Sequence, residues 1–279
     1  MRLALALVLT ACGASPSACG TSAPAPAPAP ALDVTTDGVR FHQTALTLAG
    51  GPGRLLVAEF PPTAPLEVLP ASAPRPLASI IGAPDGRACA AINGGFYSAG
   101  GADDRGAMGW VVHAGEEAAP LRPGGGSGVL LVDATATRIV HRDGAAGRPR
   151  EALQSIDRLV DAGRSLVGPN ARPDPDARSA VALRADGTVI FAVVFADVAV
   201  ARERPGRVEL GPASSSTGLS LAAWAELLAR PVADGGLGAL TALNLDGGYS
   251  TSMAIHIGDV HLDVVAHAAT INALRACAP

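Results

Sequence analysis

The sequence predicts an α+β fold, a single domain with a mixed, mostly antiparallel sheet and few helices. Three observations lead there. Short β-branched or Leu-rich runs alternate with Gly, Pro, Asp and Asn along most of the chain. One amphipathic helical segment stands out, and neither an internal repeat nor a second linker divides the residues after 33. At 279 residues and 48% hydrophobic side chains the chain can fill a core, and with aromatics at only 3% that core must be built from Val, Leu, Ile and Ala.

Taken from the N-terminus, residues 1–18 read as a signal and anchor region. One basic residue and a short apolar run precede Leu9-Thr10-Ala11-Cys12, which resembles the box of a bacterial lipoprotein signal, with lipid on Cys12 after cleavage. An ordinary secretory signal cut near Ala18 is the rival, and both mean export, to the cell envelope as an anchored lipoprotein or to the medium. Residues 19–32 form an Ala/Pro-rich linker that can make neither helix nor sheet ladder and reads as a stiff spacer. The folded domain is then 33–279. No other segment approaches the ~20 apolar residues of a spanning helix.

Strands are expected at 55–59, 89–93, 109–113, 129–133, 179–183, 188–195, 241–245, 251–257 and 260–265, with hairpin turns at Asp186-Gly187 and Gly258-Asp259. Ser220 can cap a helix over 221–230 in which Leu221, Trp224, Leu227 and Leu228 share a face and Pro231 ends the run. Residues 151–161 fit either a second helix or a strand and turn.

Composition excludes several chemistries. Net charge is −4 with no basic run, so nothing points to nucleic acid. Every positive side chain is Arg, and without Lys there is no P-loop, Schiff base or Lys general base. Beside Cys12 the cysteines are Cys19, Cys89 and Cys277. In an exported protein Cys89 and Cys277 could pair and pin the tail, or remain two free thiols. Neither CxxC nor HExxH occurs, and His256 and His261 flank a hairpin turn, so no metal is expected. The glycine-rich stretch 124–128 leads into a strand instead of a helix and makes no nucleotide cradle, and no cofactor is expected.

Two apolar runs each end in a polar side chain and two glycines: Ala91-Ile92-Asn93-Gly94-Gly95-Phe96-Tyr97 and Leu243-Asn244-Leu245-Asp246-Gly247-Gly248-Tyr249-Ser250. Glycine there allows a tight turn and lets another backbone or a ligand come close. Judged singly, each is more often a plain turn. Arg178, at the start of a strand, can fork onto a phosphate or be an ordinary surface Arg.

Taken in order, Asn-Gly-Gly-Phe-Tyr, a Gly-Trp-Val-Val strand, Gln154-Ser155, Arg178-Ser179-Ala180, the capped helix, Leu245-Asp246-Gly247-Gly248 with Ser250, and Ile271-Asn272-Ala273-Leu274 resemble the phosphodiester glycosidase family. The resemblance runs from about Cys89 to Leu274. It implies hydrolysis of a sugar-1-phosphodiester at the anomeric bond, with a glycan or sugar-phosphate as partner and the membrane reached through the lipid anchor only. It further implies Asp246 as base for water or support for an oxocarbenium-like centre, Arg178 as phosphate ligand, and Asn93 and Ser250 positioning oxygens. Gly94, Gly95, Gly247, Gly248, Gln154 and Asp197 complete the expected substrate-binding set. Three positions depart from the family pattern. Tyr249 stands where a third glycine is usual, Ala182 replaces another glycine, and Ala196-Asp197-Val198 follows the 188–195 strand where a turn is expected. The bulk of Tyr249 favours an alternative, a non-catalytic lipid-anchored glycan-binding envelope protein. A serine hydrolase fits poorly, since Gly248-Tyr249-Ser250-Thr251-Ser252 is not GxSxG.

Overall fold

The structure is a computed structural model and describes residues 31–81, 86–98 and 106–279. Cys12, Cys19 and the linker as far as residue 30 lie outside the described residues. Each expected strand is present, and the described residues form three sheets of eight, five and seven strands. No described helix is long and apolar enough to cross a membrane.

The eight-stranded sheet runs Leu32–Thr36, Val39–Leu48, Gly51–Phe60, Val189–Ala196, Arg178–Leu183, Thr241–Asn244, Arg158–Asp161, Arg164–Ser165, and every neighbouring pair is antiparallel. Its central strand, Val-Ile-Phe-Ala-Val-Val-Phe-Ala, is apolar at every position because both faces are covered. Phe191, Val193 and Phe195 point into the main core, whereas Ile190, Ala192 and Val194 meet the helix Leu221–Ala229. That helix begins as its sequence dictates, with the Ser220 side chain accepting from the Ala223 amide. Alanines at 180, 182, 192 and 242 leave room for the buried Trp224.

The seven-stranded sheet runs Val200–Arg204, Arg207–Leu210, Val260–Val265, Met253–Ile257, Cys89–Asn93, Thr270–Cys277, Leu66–Arg75, with one parallel contact, between Arg207–Leu210 and Val260–Val265. The last strand escapes sequence detection because it carries Pro70 and Pro74, and the sheet tolerates them by placing it at an edge. Val68, Ile92, Ile255 and Leu274 from this sheet share the core with Phe191, Val181 and Leu243 of the first. The five-stranded sheet, Glu116–Ala119, Val111–His113, Glu151–Ser155, Gly128–Val132, Thr137–His141, is antiparallel throughout.

Residues 151–161 are two strands, Glu151–Ser155 and Arg158–Asp161, and not a helix. The first lies between Val111–His113 and Gly128–Val132, where a helix would leave both ladders unpaired, so tertiary pairing overrides local preference.

Cys89 and Cys277 are register partners on adjacent strands and form a disulfide across 188 residues of sequence. In the chain-entropy account, a loop of that length is worth about 5 kcal/mol. Urea unfolding of Cys277→Ser is expected to show a clearly lower midpoint than the oxidised protein. An unchanged midpoint would mean that the disulfide adds nothing to stability.

Candidate active site

The two Gly-Gly turns meet at the seam between the large sheets, and Asn93 joins them. It is the last residue of the Cys89–Asn93 strand and is completely buried. Its Nδ2 donates to the Asp246 carbonyl at 2.6 Å, and its Oδ1 accepts from the Ser179 hydroxyl at 2.9 Å and the Ser252 amide at 3.0 Å. Ser179 belongs to the first sheet and Ser252 leads into a strand of the second. One amide side chain thus fixes the loop that follows Thr241–Asn244 to both sheets.

The backbone follows the same plan. The Leu245 amide donates to the Ser179 carbonyl at 2.9 Å, the Asp246 amide to Gly94 at 2.9 Å, and the Gly248 amide to Ala177 at 2.8 Å. Glycine is required at Gly94 because a Cβ there would overlap Asn272 Oδ1. Gly248 has a φ of +56°, the left-handed region that glycine enters without strain. The Gly94 and Gly95 amides donate to the Asn272 carbonyl at 2.9 Å and its side-chain Oδ1 at 2.7 Å. Gly94, Gly95 and Gly248, expected to touch substrate, spend their amides on protein partners, and the bare backbone lets a neighbouring strand come close. Next to Gly248, Gly247 makes room for the Ala177 carbonyl, 2.8 Å from where a Cβ would sit.

Asp246 is left partly exposed at this seam. Desolvation raises its carboxyl to about 6, against hydrogen bonds from the Ser250 hydroxyl and the Gly247 amide that favour the charged form. Ser250, itself buried, braces the carboxyl. Tyr97 lies close enough that, after burial, the charge on Asp246 is the second factor raising its phenol.

Arg178 is opposite the Asp246 turn, since Gly247 could not carry a Cβ without approaching the Arg178 Cδ to 3.9 Å. Its guanidinium is buried. Nε donates to the Leu219 carbonyl at 2.8 Å and Nη2 to the Asp174 carbonyl at 2.9 Å, with Asp176 at 3.4 Å. Among the described residues no hydrogen bond of Nη1 is found. Burial pulls the guanidinium below its usual range, opposed chiefly by Asp176.

Two of the expected substrate ligands, Gln154 and Asp197, have their polar groups engaged by protein partners. Gln154 is buried, and its amide is saturated: Oε1 accepts from the Trp110 and Arg122 amides at 2.9 and 3.1 Å, and Nε2 donates to the Arg122 and Gly126 carbonyls at 2.7 and 3.0 Å. It pins two loops of the five-stranded sheet. Asp197 is paired with the buried Arg54 at 2.7 Å, and the same guanidinium holds Glu203 at 2.6 and 2.8 Å. Removing Asp197 would strand part of a buried charge, a structural cost.

Tyr249 does not fill the turn. Its φ lies outside the left-handed region, so the backbone there needs no glycine, and the side chain stays 45% exposed against His267. Asn272 and Ser179 are the site residues that sequence inspection passed over. Asn272 had a visible signal, a buried amide inside the apolar run Thr270-Ile271-Asn272-Ala273-Leu274. No group of three His, Cys, Asp or Glu among the described residues is placed to hold a metal ion.

With this geometry established, the sequence profile of the phosphodiester glycosidase family matches residues 86–277, which is more than half of the chain. The chain belongs to the phosphodiester glycosidase family. No curated protein matches it in sequence. Among solved structures, a hypothetical protein from Synechocystis is similar with a TM-score of 0.55 and 18% identity, covering 91% of this chain and 64% of that one. This chain thus spans just under two thirds of that protein. The zebrafish N-acetylglucosamine-1-phosphodiester alpha-N-acetylglucosaminidase catalytic domain, auto-inhibited by pro-peptide, gives a TM-score of 0.57 and 15% identity over 86% of this chain and 82% of that one. At such identities the likeness is one of fold.

Proposed function

We propose that the protein is an exported glycosidase that hydrolyses a sugar-1-phosphodiester at the anomeric bond, releasing the sugar and leaving a phosphomonoester. The observation that carries this is Asp246, a carboxyl raised to about 6 and held at a sheet seam by Asn93, Ser250 and the Gly247 amide. A base is most effective when its pKa lies near the working pH. Asp246 takes a proton from water as the oxygen bonds to the anomeric carbon; the bond from that carbon to the phosphate oxygen breaks, and its electrons leave with the phosphomonoester. Phosphate is a good leaving group, so no strong acid is needed, and Arg178 Nη1 can meet the departing charge. Asn93 acts through Asp246, as a positioning residue. Cys12 carries the lipid that holds the enzyme on the envelope, with the linker as spacer; Cys12→Ser is expected to move it from the membrane to the soluble fraction.

Incubation with sugar-1-phosphodiesters should release free sugar and phosphomonoester. Because burial raises Asp246, kcat/KM should climb as pH increases through about 6 and level off above it. Absence of any product across such a panel would overturn the proposal. Tyr249, whose bulk favoured the glycan-binding alternative, lies in the turn with its side chain exposed and not packed into it.

A further inference from the structure

Among the described residues, five that are not glycine have a positive φ. Three of them, Asp37, Ala114 and Ala162, each precede a left-handed glycine in a two-residue hairpin turn, where that conformation is ordinary. Asp157 and Arg172, at +66° and +43°, have no such turn to account for them. Arg172 also precedes Pro173, and a proline ring drives the residue before it towards extended backbone. Backbone in so sparsely populated a region persists only where the surrounding structure holds it, and functional sites are where that is commonly found.

The two residues meet each other. Arg172 Nη1 stands 3.0 Å from Asp157 Oδ2. Both backbones are tied into the fold, the Asp157 carbonyl accepting from the Asn244 amide at 3.0 Å and the Arg172 carbonyl from the Leu221 amide at 3.4 Å. Together with Arg158, His141, Leu166 and Leu221 they line a cavity of about 330 Å³. Small-molecule sites begin at about that size.

The lining limits what can enter. Each arginine already has a carboxylate, Arg172 with Asp157 and Arg158 with Asp161 at 3.1 Å, so an ion of either sign meets attraction and repulsion together. A neutral ligand rich in hydroxyls meets no such conflict, since its O–H groups donate to Asp157 while its oxygens accept from Arg172. His141 Nδ1 accepts from the Asp143 amide at 3.2 Å, which puts the proton of the neutral ring on Nε2 as a further donor. Leu166, half-exposed, and Leu221 supply apolar surface for the C–H face of a ring. We propose that this cavity is a binding site for a neutral saccharide ring, separate from the Asp246 carboxyl. It requires no hydrolysis at Asp246, and none of the groups that hold that carboxyl lines it.

The test is calorimetric titration of the whole protein with glucose, galactose, mannose and N-acetylglucosamine, with glycerol and inorganic phosphate for comparison. At least one sugar is expected to bind more tightly than glycerol and phosphate. Arg172→Gly should weaken that binding at least about tenfold, as loss of a charged hydrogen-bond donor does. Glycine also enters the left-handed region freely, so the same variant should keep or raise Tm, which separates lost binding from lost folding. Asp246→Asn should leave the sugar affinity in place. The proposal is overturned if no sugar binds, if glycerol or phosphate binds as tightly, if Arg172→Gly binds like wild type, or if Asp246→Asn removes the binding. Turnover is read separately, so a protein without hydrolytic activity that still binds the sugar through Arg172 refutes the catalytic reading and keeps this one.

Discussion

Asp246→Asn is expected to remove turnover while making the protein more stable at neutral pH. A positioned general base contributes about 10²–10⁴-fold, so the rate should fall by at least that range. Stability moves the other way. The folded carboxyl titrates at about 6 instead of 3.8 because burial disfavours its charge. Well below pH 3.8 the group is neutral in folded and unfolded chains alike and costs nothing. As pH rises from about 3.8 through 6 the unfolded chain ionises first, and the folded state loses up to about 3 kcal/mol, a loss that is complete above 6. Asn has no charge to desolvate. Thermal unfolding should therefore show a higher Tm for Asp246→Asn at pH 7.5 and little difference at pH 4. Wild-type turnover in this variant would take Asp246 out of the mechanism, and a lower Tm at pH 7.5 would contradict its desolvation.

Substitution of Asn93 should cost the most stability of any change at the site. Asn93→Ala leaves the Asp246 carbonyl, the Ser179 hydroxyl and the Ser252 amide without their buried partner. At about 1–3 kcal/mol for each unsatisfied group, a loss of about 3 kcal/mol or more is expected in chemical denaturation. Asn93→Asp separates this positioning role from simple packing. A protonated Asp can still donate to the Asp246 carbonyl, whereas an ionised one presents an oxygen to an oxygen. Its folded form favours the neutral acid, so its stability should be near wild type at low pH and decline as pH rises. A flat pH response relative to wild type would show that the contact to Asp246 is not what matters. Gly94→Ala should likewise fail to fold well, since its Cβ overlaps Asn272.

Much of the fold was legible because its signals are local. The Ser220 cap, the helix face of Leu221, Trp224 and Leu228, and the Asp186-Gly187 and Gly258-Asp259 hairpins depend on neighbours within a few residues. Residues 151–161 and the Pro-bearing strand Leu66–Arg75 were not, because partners far along the chain decide whether such segments extend.

The sequence by itself determined that the chain builds strands from small and β-branched residues, that its chemistry excludes Lys, and that Asn93 and Asp246 sit at strand ends beside glycines. Only the tertiary structure decided what those glycines are for. Gly94 and Gly95 admit Asn272 and Gly248 meets Ala177, while Gln154 and Asp197 are consumed by loops and by Arg54. A hydrogen-bond donor has the same letter in a sequence whether its partner is substrate or protein, and only long-range packing shows which. Burial likewise comes from elements distant in the chain, so the shift that raises the Asp246 carboxyl to about 6 appears only once the two sheets close around it.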